Sequence, residues 1–395
     1  MSKALLVLAA SIYQVPAIEA AKRLGYRVIT TDNVPTNPGH ALADASYQVD
    51  TTDVEGVLRL AAKEKISGVI APGTDVAVIT ASRVAKALGL PGPSPEAAAA
   101  LTSKLTFRAF LRDAGFACPR VVSVTAAMHL DGSLASNAKW LLKPNCSSGS
   151  KGIFIVTSFE EVSSHLAASR SFSLDGECFL EEFVEGSQHT CEGIIEGGKV
   201  VLSLLTDRDT ASTPYTATTG HRVPSRLPEC IQTKALSTIE SVMARLGVRS
   251  GPFDCDFVAT GDRVLLIEIT PRLGGNSLSK LFKAALGFDL VAYAVATACG
   301  DRYPVLPSTS PKPAAVRILG VEQDGRLTWN EKEAKLLAKQ PWVDSLMFDV
   351  PCGSRVSPFV NGRNRVGEAL ITGDNRDELD AHLLEFSRRL ALQAV

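Results

Sequence analysis

Asp254-Cys255-Asp256-Phe257-Val258-Ala259-Thr260 leads through Gly261-Asp262-Arg263 into Val264-Leu265-Leu266-Ile267-Glu268-Ile269-Thr270. Two apolar runs around a Gly-Asp pair are the composition of an antiparallel hairpin. A three-residue loop over 261–263 pairs Thr260 with Val264, and counting back sets Asp256 directly opposite Glu268. Both carboxylates then share one sheet face, with Thr270 two residues farther along it. Like charges so placed repel, and a cation between them relieves the cost. Magnesium suits that position because it takes one or two carboxylates, keeps water and accepts substrate phosphates. A register shifted by one residue, with one carboxylate simply solvated, is the alternative.

The hairpin runs on into Pro271-Arg272-Leu273-Gly274-Gly275-Asn276-Ser277. Arg272 emerges beside the carboxylate pair, where its guanidinium can grip a transferring phosphoryl group or a substrate carboxylate bidentately. It can equally serve as the counter-ion of Glu268. Gly274, Gly275 and Asn276 follow as candidate substrate contacts, joined by Asp207-Arg208-Asp209 and by His221 and Arg222 in an expected loop. Exposed loop charges need no function, so a solvated His-Arg pair is the plainer reading there.

Upstream, the apolar run Trp140-Leu141-Leu142 ends in Lys143-Pro144, and Ser147-Ser148-Gly149-Ser150-Lys151-Gly152 follows. A cation at a strand end beside a small-residue loop places free backbone N–H groups where phosphates can lie. It is not the Walker pattern, and short glycine-rich loops are weakly specific. In Cys178-Phe179-Leu180-Glu181-Glu182-Phe183-Val184 an apolar strand runs into two carboxylates. Such a strand offers a purine its backbone groups, with Glu181 accepting from the exocyclic amine; a surface acidic turn is the simpler reading.

The 395 residues carry 41 basic and 42 acidic side chains, a net charge of -1 that gives no electrostatic reason to expect nucleic acid or an anionic membrane. Eight cysteines lie scattered without a C-x-x-C pair, as reduced thiols do in the cytoplasm. No apolar segment approaches the ~18–20 residues needed to cross a bilayer. Residues 1–93 alternate strands (4–9, 27–31, 68–71) with helices (15–24, 54–64, 76–88), the pattern of a parallel sheet covered by helices. The first turn, Ala9-Ala10-Ser11-Ile12-Tyr13-Gln14, lacks G-x-G-x-x-G, which excludes a dinucleotide site. Pro91-Gly92-Pro93-Ser94-Pro95 then breaks regular structure. A helix is expected over 102–114, and a strand, turn and helix over 365–390.

Taken in order, these pieces resemble the ATP-grasp superfamily of carboxylate-amine and carboxylate-thiol ligases. The resemblance implies an α/β fold, α+β in the ATP-binding part, with a Rossmann-like lobe at 1–93. It further implies a central region at 94–307 with a lid at about 118–187, and a C-terminal α/β lobe at 308–395. By the same resemblance Lys104 and Lys143 bind ATP phosphates under the 147–152 loop, including Ser148, Gly149, Ser150 and Gly152. Glu181, Glu182, Phe183 and Val184 hold adenine, and His189 or Glu192 the ribose. Asp256, Glu268 and Thr270 bind Mg2+, for which Mn2+ can substitute. Many members carry asparagine where this chain has Thr270, a poorer ligand, and the difference speaks against the carboxylase branches. The implied reaction is ATP-driven phosphorylation of a carboxylate, then attack by an amine on the acyl phosphate. The partners are small-molecule acids and amines, with no nucleic acid or membrane, and the apolar helices of the first lobe offer a surface for a homodimer. A bicarbonate-activating carboxylase and a non-catalytic nucleotide-binding subunit are the competing readings.

Overall fold

The computed structural model describes residues 2–124, 138–211, 216–305 and 310–395. The expected lobe boundary at 307/308 and part of the expected lid, 125–137, lie outside these residues.

Ala4–Leu8 is buried at every position, as its unbroken apolar run requires of a central parallel strand. It sits in a four-stranded parallel sheet ordered Ala45–Tyr47, Arg27–Thr31, Ala4–Leu8, Gly68–Ile70. Helices Val15–Arg23, Val54–Glu64 and Val78–Leu88 accompany it, each within two residues of its expected bounds. The edge strand Ala45–Tyr47 is an addition; three half-exposed residues carry too little periodicity to be read. The helix expected over 102–114 is Lys104–Asp113, and a further helix, Pro95–Thr102, precedes it. Ser103 separates them: its backbone is extended at φ -96°, and its hydroxyl accepts from Thr106 N, capping the second helix.

A second, antiparallel sheet is ordered Val121–Ser123, Cys178–Glu182, Trp140–Pro144, Phe154–Val156. The largest sheet has eight antiparallel strands. Its order is Arg263–Thr270, Gly251–Thr260, Ser187–Glu196, Lys199–Thr210, Thr218–Val223, Ala314–Leu319, Gly367–Thr372 and Val343–Phe348. The C-terminal strands therefore extend the sheet that carries the hairpin, through Ala314–Leu319 beside Thr218–Val223.

Alternation along the hairpin divides the sheet into two faces. Phe253, Cys255, Phe257, Val264, Leu266 and Ile269 pack against Ile231, Ala235, Ile239, Val242 and Met243 of helix Glu229–Arg245. Asp254, Asp256 and Glu268 are left to the other side. No single helix among the described residues is long and apolar enough to cross a membrane. The apolar pair Leu278–Leu286 and Leu290–Ala298 instead packs under the first lobe, beside Ala17, Ile18 and Ala21.

Ile239 is fully buried behind the hairpin. Ile239→Ala should lower stability by about 2–5 kcal/mol, a loss readable by urea denaturation. A change below about 1 kcal/mol would mean that this helix does not support the hairpin in the way described.

Candidate active site

Asp256 pairs with Glu268, as the sequence predicts, but by a different route. The turn has two residues, with Thr260 opposite Arg263 and Gly261 at φ 58° in the first turn position, where such a connection favours glycine. That register alone would set Ile267 against Asp256. A bulge intervenes between Asp256/Glu268 and Phe257/Leu266, absorbing Ile267. The extra residue restores the pairing that a three-residue loop would have produced.

The carboxylates face a cleft of about 1010 Å³ lined by all three parts of the chain. The positive charge between them comes from side chains. Arg208 Nη1 lies 2.9 Å from Asp256 Oδ2, and Lys104 Nζ lies 3.7 Å from Glu268 Oε2. Thr190 Oγ1 donates to the second Asp256 oxygen at 2.5 Å. Burial holds the Glu268 carboxyl above its usual pKa, with the nearby Lys104 charge opposing.

Lys104 opens its helix and donates to Ser147 O at 2.9 Å, so it reaches the small-residue loop as well as Glu268. Ser148, Gly149 and Ser150 line the cleft, with Gly149 at φ 68° and Ser150 at φ 57°. Gly152 belongs to the same loop but packs on Phe172, where a Cβ would come within 3.0 Å of a ring carbon, and it does not line the cleft. Lys143, Glu182, Phe183 and Val184 line it. Glu181 also reaches the lining, but its carboxylate is committed: Lys143 pairs with one oxygen, and Arg108 Nη2 lies 2.8 Å from the other. Burial would raise the Glu181 pKa, yet the two cations outweigh it and hold it low; burial pulls Lys143 down against the attraction of Glu181. Both Glu181 oxygens therefore already have cationic partners, and an adenine amine would have to share an oxygen with Lys143 or Arg108.

Several expected contacts lie elsewhere, for reasons of strand alternation and cover. His189 projects to the opposite sheet face from Thr190, stacks on Phe257 with ring centroids 5.3 Å apart, and pairs through Nε2 with Ser187 Oγ at 2.7 Å. Glu192 is fully buried and accepts from Gly274 N at 2.6 Å, so neither residue is placed for a ribose and Gly274 is spent on this contact. Burial, and then the neighbouring Asp254, hold the Glu192 carboxyl above its usual pKa. Thr270 is 1% exposed beside Asp254, outside the cleft lining, and is not placed as a metal ligand. His221 and Arg222 are in a strand, not a loop. His221 is buried and hydrogen-bonds with Thr206 Oγ1, while Arg222 points to the other face and pairs with Asp209 and Asp380. Gly275 and Asn276 do line the cleft.

Arg272 is where expected and more constrained than expected. Its Nε and Nη2 donate to Asp75 Oδ1 at 2.9 and 2.5 Å, and Nη1 donates to Asp254 Oδ2 at 2.7 Å and to Leu273 O at 3.0 Å. Of the five guanidinium N–H groups one remains, so Arg272 offers a substrate a single donor here instead of a fork. Burial would lower its pKa, but Asp75 and Asp254 overcome that and keep it above the ordinary value. Asp75, from the first lobe, has no motif to reveal it in the sequence. Asp254 sits within the hairpin, and its even spacing from Asp256 is a signal that would have found it.

Among the described residues no group of three or more His, Cys, Asp and Glu side chains is arranged to hold an ion unaided. Two facing carboxylates suit a magnesium ion that takes its other ligands from phosphates and water. On that chemistry Asp256 and Glu268 fit the metal and Thr270 does not.

Residues 101–276 match the model of the ATP-grasp domain. Over 100% of its length it superposes on 99% of the L-amino acid ligase of Bacillus licheniformis, at 16% identity and TM-score 0.82, a likeness of fold. It is 26% identical over 374 residues to the uncharacterised protein y4rH of Sinorhizobium fredii, covering 92% of this chain and 77% of that one. To human carnosine synthase 1 it is 32% identical over 142 residues, 36% of this chain and only 17% of the longer protein.

Burial, then the Arg208 charge, pushes the His221 pKa down to about 3 from 6.5. Between these values the unfolded chain binds the proton and the folded one does not, so this residue makes stability fall as pH drops from about 6.5 towards 3. The ring should show no NMR titration between pH 8 and pH 5. His221→Gln should flatten the acid limb of the stability curve; a ring titrating near 6.5 would refute the burial argument.

Proposed function

We propose that the protein is an ATP- and magnesium-dependent ligase that activates a small-molecule carboxylate as an acyl phosphate and joins it to an amine. The observation that carries this reading is the facing pair Asp256 and Glu268 in a cleft that also holds Lys104, Lys143 and Arg272. Arg208 and Lys104, paired with the carboxylates, also line the cleft and can serve phosphates, whose charge exceeds that of a single carboxylate. Backbone groups of Glu182, Phe183 and Val184 serve the purine in place of the committed Glu181 side chain. The N–H groups of the Ser148–Ser150 loop cradle the phosphates.

Asp256 and Glu268 would hold magnesium, whose charge would offset the negative charge that develops in phosphoryl transfer. The substrate carboxylate oxygen attacks the terminal phosphorus and ADP leaves. The amine nitrogen then attacks the acyl carbon, phosphate departs and the nitrogen loses its proton. The remaining Arg272 donor stabilises the oxyanion formed on the way, and enclosure limits loss to water. The amine is favoured over other nucleophiles by likeness to proteins named as an amino acid ligase and a carnosine synthase. All eight cysteines are free, which suits the cytoplasm as the compartment proposed.

ADP release should require a carboxylic acid and an amine together, with amino-acid pairs the first to be screened. Glu268→Gln and Asp256→Asn should each lower turnover at least ~100-fold, the scale of losing one preorganised electrostatic contact. Full turnover in either variant would remove the metal assignment. ADP release with bicarbonate and no amine would replace the amine half with carboxylation, and ATP binding without turnover in every screen would favour a non-catalytic subunit.

A further inference from the structure

We propose that Arg108 is a positioning residue which ties the phosphate-side lysine, Lys143, to the metal-side carboxylate, Glu268. The inference rests on the roles given to those two residues above. Arg108 is 1% exposed and does not line the cleft, so it touches no substrate. Its Nε donates to Glu181 Oε2 at 2.9 Å, and Glu181 in turn holds Lys143. Its Nη2 also donates to Ile267 O at 2.7 Å.

That last contact falls on the residue absorbed by the bulge. A bulged residue is left out of the ladder, and the carbonyl of half-buried Ile267 has to find its donor elsewhere. Arg108 supplies the missing donor and so favours the bulged register over the regular one. In the regular register Ile267 would stand opposite Asp256 and Glu268 would turn to the apolar face. One turn earlier on the same helix face, Lys104 approaches Glu268 from the cleft. A single helical turn thus sets Lys143 through Glu181, and Glu268 through the backbone before it.

The two functions separate by substitution. Arg108→Lys keeps a cation for Glu181 but lacks the branched donors needed to reach Ile267 as well. Arg108→Gln removes the charge and both contacts. Each full-length variant is titrated by calorimetry with a non-hydrolysable ATP analogue, with and without magnesium, and its melting temperature is recorded. In the wild type, magnesium should tighten analogue binding. Arg108→Lys should retain most of the magnesium-free affinity and lose about 10-fold or more of the magnesium enhancement, the scale for removing a residue that supports a metal ligand. Arg108→Gln should lose both.

A lysine variant with undiminished magnesium enhancement, whatever its melting temperature, would overturn the proposal. A lysine variant too unstable to titrate would assign Arg108 to folding alone and overturn it equally. Absence of any magnesium enhancement in the wild type would instead refute the metal reading of Asp256 and Glu268, a failure distinct from that of Arg108.

Discussion

Glu268 faces Asp256 because one residue, Ile267, is taken out of the hairpin ladder between them and the turn. A side chain's face in a strand depends on parity alone, so adding or removing one residue flips everything beyond it. Apolar packing against helix Glu229–Arg245 keeps the odd-numbered stretch Phe253–Phe257 turned inward, and Asp254 and Asp256 turned to the cleft. The bulge lets the second strand present Leu266 and Ile269 to the same core while still delivering Glu268 to the opposite side. Core and site impose competing periodicities on eight residues, and the bulge is where they are reconciled.

Around that hairpin, charges are arranged in pairs that would be costly if broken singly. Arg208 with Asp256, Lys104 with Glu268, Lys143 with Glu181 and Arg272 with Asp75 each draw their partners from different segments of the chain. Half-buried ions need such partners, and removal of one leaves the other stranded. On the function proposed, a polyphosphate would compete for these lysines and arginines and free carboxylate oxygens for a cation. Arg272 differs from the others. Two carboxylates and a carbonyl fix its plane, so it is held in a set position with one donor in reserve.

Local signals were legible where they were periodic. The fully buried strand Ala4–Leu8, the helices at 54–64 and 376–390 and the pairing of Asp256 with Glu268 all follow from apolar spacing and turn composition. The pairing survived although the loop length was misjudged, because the bulge made up the missing residue. Other positions misled. Glu181 has the right strand for a purine contact, but Arg108, 73 residues away in sequence, and Lys143 occupy its carboxylate. His189 and His221 look like free polar groups in the sequence and are buried among strands, one behind the sheet and one opposite Arg208 on the neighbouring strand. Asp75 carried no signal, since nothing local distinguishes an aspartate that will meet an arginine 197 residues later.

What the sequence determined by itself was the strongly periodic elements, the resemblance to ATP-grasp ligases and the pairing of Asp256 with Glu268, because alternation, turn residues and the order of charged positions are properties of short stretches. Tertiary structure decided which charges are available. Burial and partner choice depend on which strands and helices come to lie side by side, and that placement commits Glu181 to Arg108 and Lys143, Arg272 to Asp75 and Asp254, and Glu192 to Gly274. Contacts of this kind join residues far apart along the chain, so no window of sequence contains both halves.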